Sequence, residues 1–138
     1  MQRRDFAKSV IFGVTAASVL PVVGKAADAD ANEADTNENV IFKESQPGHW
    51  AKAVAAHVPQ TSVADGKVTI KTPHPMSEEH YIVSHSVVLG NGTFVSRKTF
   101  SHKDEPVSEH ALPADYKGKV TIISTCNQHD TWVKTILV

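Results

Sequence analysis

The sequence predicts an all-β chain, an immunoglobulin-like antiparallel β-sandwich with a metal site in the loops at one end. Three observations carry this expectation. Short runs of alternating apolar and polar residues follow one another from Lys67 onward. Turn residues such as Gly90-Asn91-Gly92 punctuate them. Histidines and a lone cysteine gather in the loops between them. At 138 residues the chain is long enough for one domain with a proper core. A net charge of -1 with histidines neutral makes neither nucleic acid nor an anionic membrane an expected partner.

The first segment stands apart from the fold. Arg3-Arg4-Asp5-Phe6-Ala7-Lys8 precedes an apolar run from Val10 to Val23, followed by small residues at Gly24-Lys25-Ala26 and Ala27-Asp28-Ala29. A charged stretch, then an apolar stretch too short to span a bilayer comfortably, then small residues, is the pattern of a cleaved export signal. The paired arginines resemble a twin-arginine signal. Residues 1–29 are therefore expected to be removed, with the mature chain starting between Ala27 and Asp30 in a bacterial periplasm. No stable membrane association is expected after cleavage, the alternative being an uncleaved anchor. Residues 30–39, acidic and free of aromatics, read as a flexible linker, and 40–138 as the folded domain.

Within the domain, Val40-Ile41-Phe42 is a candidate short strand, and Gln46-Pro47-Gly48 breaks the chain after it. Ala51, Val54, Ala55 and Val58 have helical spacing, which predicts one or two helical turns ending before Pro59. Val68 and Ile70 alternate with Thr69 and Lys71 as in a half-buried strand. His74 to Glu79 reads as a loop. Tyr81 to Leu89 and Thr93 to Phe100 read as a hairpin, and Ser101 to Tyr116 as a polar surface connection. Lys119 to Thr125 and Thr131 to Val138 form the last strand pair, joined by the turn that carries Cys126 and His129.

That turn is where the chemistry concentrates. Cys126 is the only cysteine, so the chain can form no internal disulfide and no four-cysteine site. An unpaired thiol in an oxidising compartment needs burial or a metal. His74 and His80 are six apart; on one extended strand they would lie about 20 Å from each other, so only a folded loop brings them to one ion. His57, beside Pro59, is a third imidazole, and Cys126 with His129 completes a set of four imidazoles and a thiolate. His49, His85, His102 and His110 are read as surface or packing residues, because a lone histidine is more often that than a ligand.

His57-Val58-Pro59, His74-Pro75 with Glu79-His80-Tyr81-Ile82, and Cys126-Asn127 with His129 and Trp132 together resemble the iron site of superoxide reductases, the neelaredoxin and desulfoferrodoxin family. The resemblance runs from His57 to the C-terminus and lacks the N-terminal four-cysteine domain, so it is to the single-iron class. It implies one mononuclear Fe2+/Fe3+ held by His57, His74, His80, Cys126 and His129, with four nitrogens in a plane and the sulfur axial. It implies one-electron reduction of superoxide to hydrogen peroxide, tuned by thiolate donation and by backbone N–H groups near Asn127 and Gln128 directed at the sulfur. An external one-electron donor, rubredoxin-like or a cytochrome, is then required. Relatives often form dimers or tetramers, so a homo-oligomer is among the expectations. Two departures matter. The family's Glu-Lys before the first histidine is here Ala55-Ala56, and its tryptophan after the second loop histidine is missing near Ser84-His85.

Two other readings use the same residues. An iron-binding electron carrier or sensor would need no Glu-Lys pair. A blue-copper carrier would use Cys126, His129 and one upstream histidine with an axial methionine, and Met76 is the only methionine outside the signal. Five candidate ligands argue against a closed four-coordinate structural zinc.

Overall fold

The computed structural model describes residues 40–138. The expected signal and linker lie outside the described residues. Eight strands form two sheets, a five-stranded one in the order β1-β8-β7-β4-β5 and a three-stranded one in the order β2-β3-β6. The strands are β1 Ile41–Phe42, β2 Gln60–Ala64, β3 Lys67–Lys71, β4 Ile82–Leu89, β5 Phe94–Thr99, β6 Val107–Ala111, β7 Lys119–Cys126 and β8 Thr131–Leu137. All pairings are antiparallel except β1 with β8, which is parallel. The predicted β-sandwich is therefore the observed fold, with one small parallel edge added. Among the described residues no helix is long and apolar enough to cross a membrane.

The core is built by period-two alternation. Val68 and Ile70 from β3, Val87 and Leu89 from β4, and Val120 and Ile122 from β7 form one buried cluster between the sheets. Each such side chain contributes about 1.5–3 kcal/mol on leaving water. The same alternation aims the site residues. Beyond Ile70 the inward row continues through Thr72 to His74, and beyond Ile122 it continues through Ser124 to Cys126, all of them buried. Two inward rows thus deliver an imidazole and a thiol to the same end of the sandwich. On β4 a register shift against β7 falls between Ile82 and Ser84. The bulge changes parity, so both Ile82 and His85 face inward.

The helical spacing around Val54 resolves into a 3₁₀ helix, Gly48–Ala53, running into a single α-turn, α1, Val54–His57. Two strands were not expected. β2 is almost wholly exposed, so its sequence carries no alternation. It joins β3 through Asp65-Gly66, both at positive φ (50° and 71°), a two-residue turn whose twist suits a hairpin. β6 corrects the reading of Ser101 to Tyr116 as a surface connection. Its inward residues are Ser108 and His110, polar groups that hide the pattern of a half-buried strand.

Candidate metal centre

His57 is the last residue of α1 and is 3% exposed. Its Nδ1–H donates to the Ala53 carbonyl at 2.8 Å. A carbonyl only accepts, so this bond fixes the tautomer and leaves a lone pair on Nε2. That Nε2 is buried and has no hydrogen-bond partner. An orphaned buried nitrogen is costly unless a cation meets it.

The loop between β3 and β4 folds as the chemistry requires. Ser77 and His80 exchange backbone hydrogen bonds at 2.9 and 3.2 Å. This turn brings His74 Nε2 and His80 Nε2 to 3.1 Å. The β7–β8 turn is closed by Cys126 N–H donating to the Asp130 carbonyl at 2.9 Å, with Asp130 at φ 62°. Asn127 stitches the two loops together. Its side-chain oxygen accepts from Tyr81 N–H at 3.0 Å and its amide donates to the Glu79 carbonyl at 3.0 Å. Its backbone N–H, expected to serve the cysteine sulfur, donates instead to the Tyr81 carbonyl at 3.2 Å. That contact is lost to sulfur because it holds the neighbouring strand.

All five expected donors meet: one ligand atom each from His57, His74, His80, Cys126 and His129 lies within 4.8 Å of the others. The four imidazoles form a closed cycle. Ring centroids of neighbours are 4.6 Å apart for His57–His74, 4.4 Å for His74–His80, 4.6 Å for His80–His129 and 4.6 Å for His129–His57. Across the cycle His57 and His80 are 6.1 Å apart with their rings inclined by 27°. Cys126 Sγ lies 3.2 Å from His80 Nε2, 3.8 Å from His129 Nδ1 and 3.9 Å from His74 Nε2.

These separations suit one ion. Two nitrogens each about 2.1 Å from a metal and at right angles are about 3.0 Å apart. The observed edges, 3.1 Å for His74–His80 and 2.8 Å for His80–His129, bracket that value. Hydrogen bonding alone does not explain them. His80 Nε2 has two nitrogens and a sulfur around it, and a neutral ring nitrogen offers one proton or one lone pair, never three bonds.

The electrostatics favour the ligand form of the rings. Burial first, and then the neighbouring imidazoles, hold His57 and His80 below the ordinary histidine range. His74 is lowered to about 4, by burial and then by His57 and His80. The Pro75 backbone offsets this in part. Neutral imidazoles are what a metal binds.

Aromatic rings wall the centre. Trp132 stacks on His57 at 5.6 Å and its Nε1–H donates to the His129 carbonyl at 2.9 Å. Trp50 sets its edge against His129 at 4.5 Å and donates to the Asp130 carboxylate at 2.8 Å. Sequence reasoning missed the Trp50–Asp130 bond, since nothing in the spacing links residues eighty positions apart. A shallow groove beside His129 is lined by His49, Trp50, Ala51, Lys52 and Ala53. The four histidines left outside the site stay outside it. His85 and His110 are buried in the core, His49 is exposed beside Asp130, and His102 is half-buried near Tyr81.

Four imidazoles and one cysteine sulfur at the end of a β-sandwich define a candidate mononuclear metalloprotein. The chain belongs to the desulfoferrodoxin family, whose model matches residues 39–135. No curated protein sequence matches it. Among solved structures it is similar to a superoxide reductase (neelaredoxin) from Ignicoccus hospitalis, with a TM-score of 0.65 and 21% identity over 72% of this chain and 94% of that one. A single-iron superoxide reductase from Giardia intestinalis gives a TM-score of 0.54 and 22% identity, over 60% and 98% of the two chains. A variant superoxide reductase (neelaredoxin) from Archaeoglobus fulgidus in the reduced form gives 0.53 and 28%, over 60% and 89%.

Proposed function

We propose that the chain is a non-haem iron superoxide reductase. It reduces superoxide by one electron, with two protons taken up from solvent, to hydrogen peroxide, and is re-reduced by an external one-electron donor. His57, His74, His80 and His129 would hold the iron from four sides and Cys126 would supply the thiolate. When bound, iron with a thiolate ligand supplies a one-electron couple biased by sulfur donation. The observation that carries the reading is the closed cycle of four rings with the thiol against it. Family membership supports iron over other metals that accept imidazole and thiolate.

The protein's own residues prepare this chemistry in definite ways. Ala53 orients His57 by fixing its tautomer. Asn127 and Gln128 tie the cysteine turn to the Glu79 carbonyl, so the His80 and Cys126 arms move as one. Trp132 shields the His57 side from water. Lys52, on the groove beside His129, is a candidate for drawing an anion inward. The blue-copper reading would leave two of the five gathered donors without a role, and Met76 sulfur accepts the Ile82 N–H at 3.3 Å.

A second reading, an iron electron carrier or sensor, draws on Ala55 and Ala56, which offer neither a carboxylate nor an ammonium group. Metal analysis with stopped-flow superoxide consumption separates the two. Stoichiometric iron with superoxide consumed far faster than by free iron supports the reductase. Stoichiometric iron without that rate supports the carrier. We propose further that residues 1–29 direct export by the twin-arginine route to a periplasm. Replacing Arg3 and Arg4 by Lys should then retain precursor in the cytoplasm, and unchanged delivery would refute that route.

A further inference from the structure

Behind the centre, six hydroxyl and imidazole side chains form one continuous chain through the sandwich. Ser96 Oγ meets His110 Nδ1 at 2.6 Å, and His110 Nε2 meets Ser108 Oγ at 2.9 Å. Ser108 Oγ meets His85 Nδ1 at 2.8 Å, and His85 Nε2 meets Thr72 Oγ1 at 2.8 Å. Thr72 Oγ1 meets Ser124 Oγ at 2.8 Å. The chain laces the sheets together, passing from β5 to β6, to β4, to the residue following β3, and to β7.

Such a network is expensive where it sits. Thr72 and His85 are fully buried, and Ser124, His110 and Ser108 are nearly so. Aliphatic side chains of the same volume would pack there without polar groups to satisfy. The network closes because each neutral imidazole offers one donor and one acceptor, and each hydroxyl can do both. One consistent direction runs from Ser124 to Ser96 and the reverse runs equally well. It is not a route to the centre, because no side-chain hydrogen bond joins Thr72 or Ser124 to a donor of the cluster among the described residues.

Its inner end shows its use. Thr72 lies two residues before His74 and its carbonyl accepts the His74 N–H at 2.7 Å. Ser124 lies two residues before Cys126 on the same inward row of β7. The Thr72–Ser124 bond therefore ties together the arms that carry His74 Nε2 and Cys126 Sγ, which stand 3.9 Å apart. His85, bonded at both ring nitrogens, holds Thr72 from behind.

We infer that Thr72 and His85 are positioning residues for the metal centre, setting the separation of the His74 and Cys126 arms. The inference rests on the metal-binding part of the proposed function. Groups that hydrogen-bond a metal ligand directly typically change metal affinity by about 10- to 100-fold when altered, and Thr72 and His85 act one step further back, toward the lower end of that range. The test compares wild type, Thr72→Val, Thr72→Ser and His85→Leu, each purified without metal and titrated with Fe2+ and with Co2+ against a chelator. Thr72→Val keeps the shape and removes the hydroxyl. It and His85→Leu should weaken binding by about tenfold, the lower end of that range, and shift the thiolate-to-cobalt absorption. Thr72→Ser, which retains the hydroxyl, should restore both readouts towards wild type. Folded Thr72→Val and His85→Leu proteins with wild-type affinity and spectrum would overturn the inference. If His85→Leu does not fold, Thr72→Val decides; if that also fails to fold, the network is purely structural and the inference is wrong. A wild-type protein that binds neither ion overturns the metal centre itself, and the inference with it.

Discussion

The indole N–H of Trp50 donates to the Asp130 carboxylate at 2.8 Å, tying the 3₁₀ helix before His57 to the turn that carries Cys126 and His129. Asp130 does this from a left-handed backbone, φ 62°, where aspartate is better tolerated than most residues and glycine is easiest. Two effects therefore oppose each other at this position. Asp130→Gly relieves the backbone and loses a partly exposed hydrogen bond, each about 1 kcal/mol, so stability should change little. Asp130→Ala loses the bond and worsens the backbone, and should be less stable than Asp130→Gly by about 1–2 kcal/mol. Thermal denaturation of the two variants checks the order.

Cys126 is the one donor whose loss has its own colour. In the iron-loaded oxidised protein, Cys126→Ser should abolish the thiolate-to-iron charge-transfer absorption. The serine oxygen is smaller and harder than sulfur, and the other four donors come from separate side chains, so part of the iron should stay bound without that absorption. Visible spectra with metal analysis test this. Colour and iron content both unchanged would remove Cys126 from the centre.

The buried histidines set the acid limit of the metal-free protein. His85 is lowered to about 4 by burial first and then by His110, against an ordinary value of 6.5. The unfolded chain takes up the proton first, so this contribution to stability is whole above pH 6.5 and drains away as pH falls toward 4. The gap is worth on the order of 3 kcal/mol. His74 acts in the same direction over the same window, and bound metal should blunt its share by competing with the proton. Urea denaturation from pH 7 to pH 4, with and without metal, measures both. A flat profile for the metal-free protein would mean that His85 is charged or solvated in the fold.

What was legible in the sequence is what a single stretch can encode. Val68 and Ile70, or Val120 and Ile122, announce strands by alternation, and Cys126 with His129 announces a site by chemistry. The two hidden strands show where this fails. β6 turns Ser108 and His110 inward, and their partners, His85 and Ser96, lie on other strands, so the segment reads as polar loop until the fold assembles. The Asp65-Gly66 turn was not read as a hairpin, because exposed β2 before it offers no apolar row to pair with β3. The Trp50–Asp130 bond and the Thr72–Ser124 bond are likewise products of the assembled sandwich.

Charge beside His57 governs how readily an anion reaches the centre. Ala55 is exposed and Ala56 half-buried on α1, immediately before His57, and neither brings a charge. Lys52 is exposed, one turn earlier, on the groove beside His129. Fixed positive charge near a site can raise the association rate of an anion by tenfold or more at low salt, and one partly exposed lysine should act toward the lower end of that range. Ala56→Lys should therefore raise the second-order rate with superoxide, and Lys52→Ala should lower it, with both effects shrinking as ionic strength rises. If Lys52 already serves the approach, Lys52→Ala will show the larger change and Ala56→Lys the smaller. Because Ala55 cannot coordinate, added azide or cyanide should also bind the oxidised iron-loaded protein readily, which absorption spectra will report. Rates insensitive to both substitutions at every salt concentration, with superoxide consumed no faster than by free iron, would exclude the reductase reading. The centre's gathered donors would then point to electron transfer.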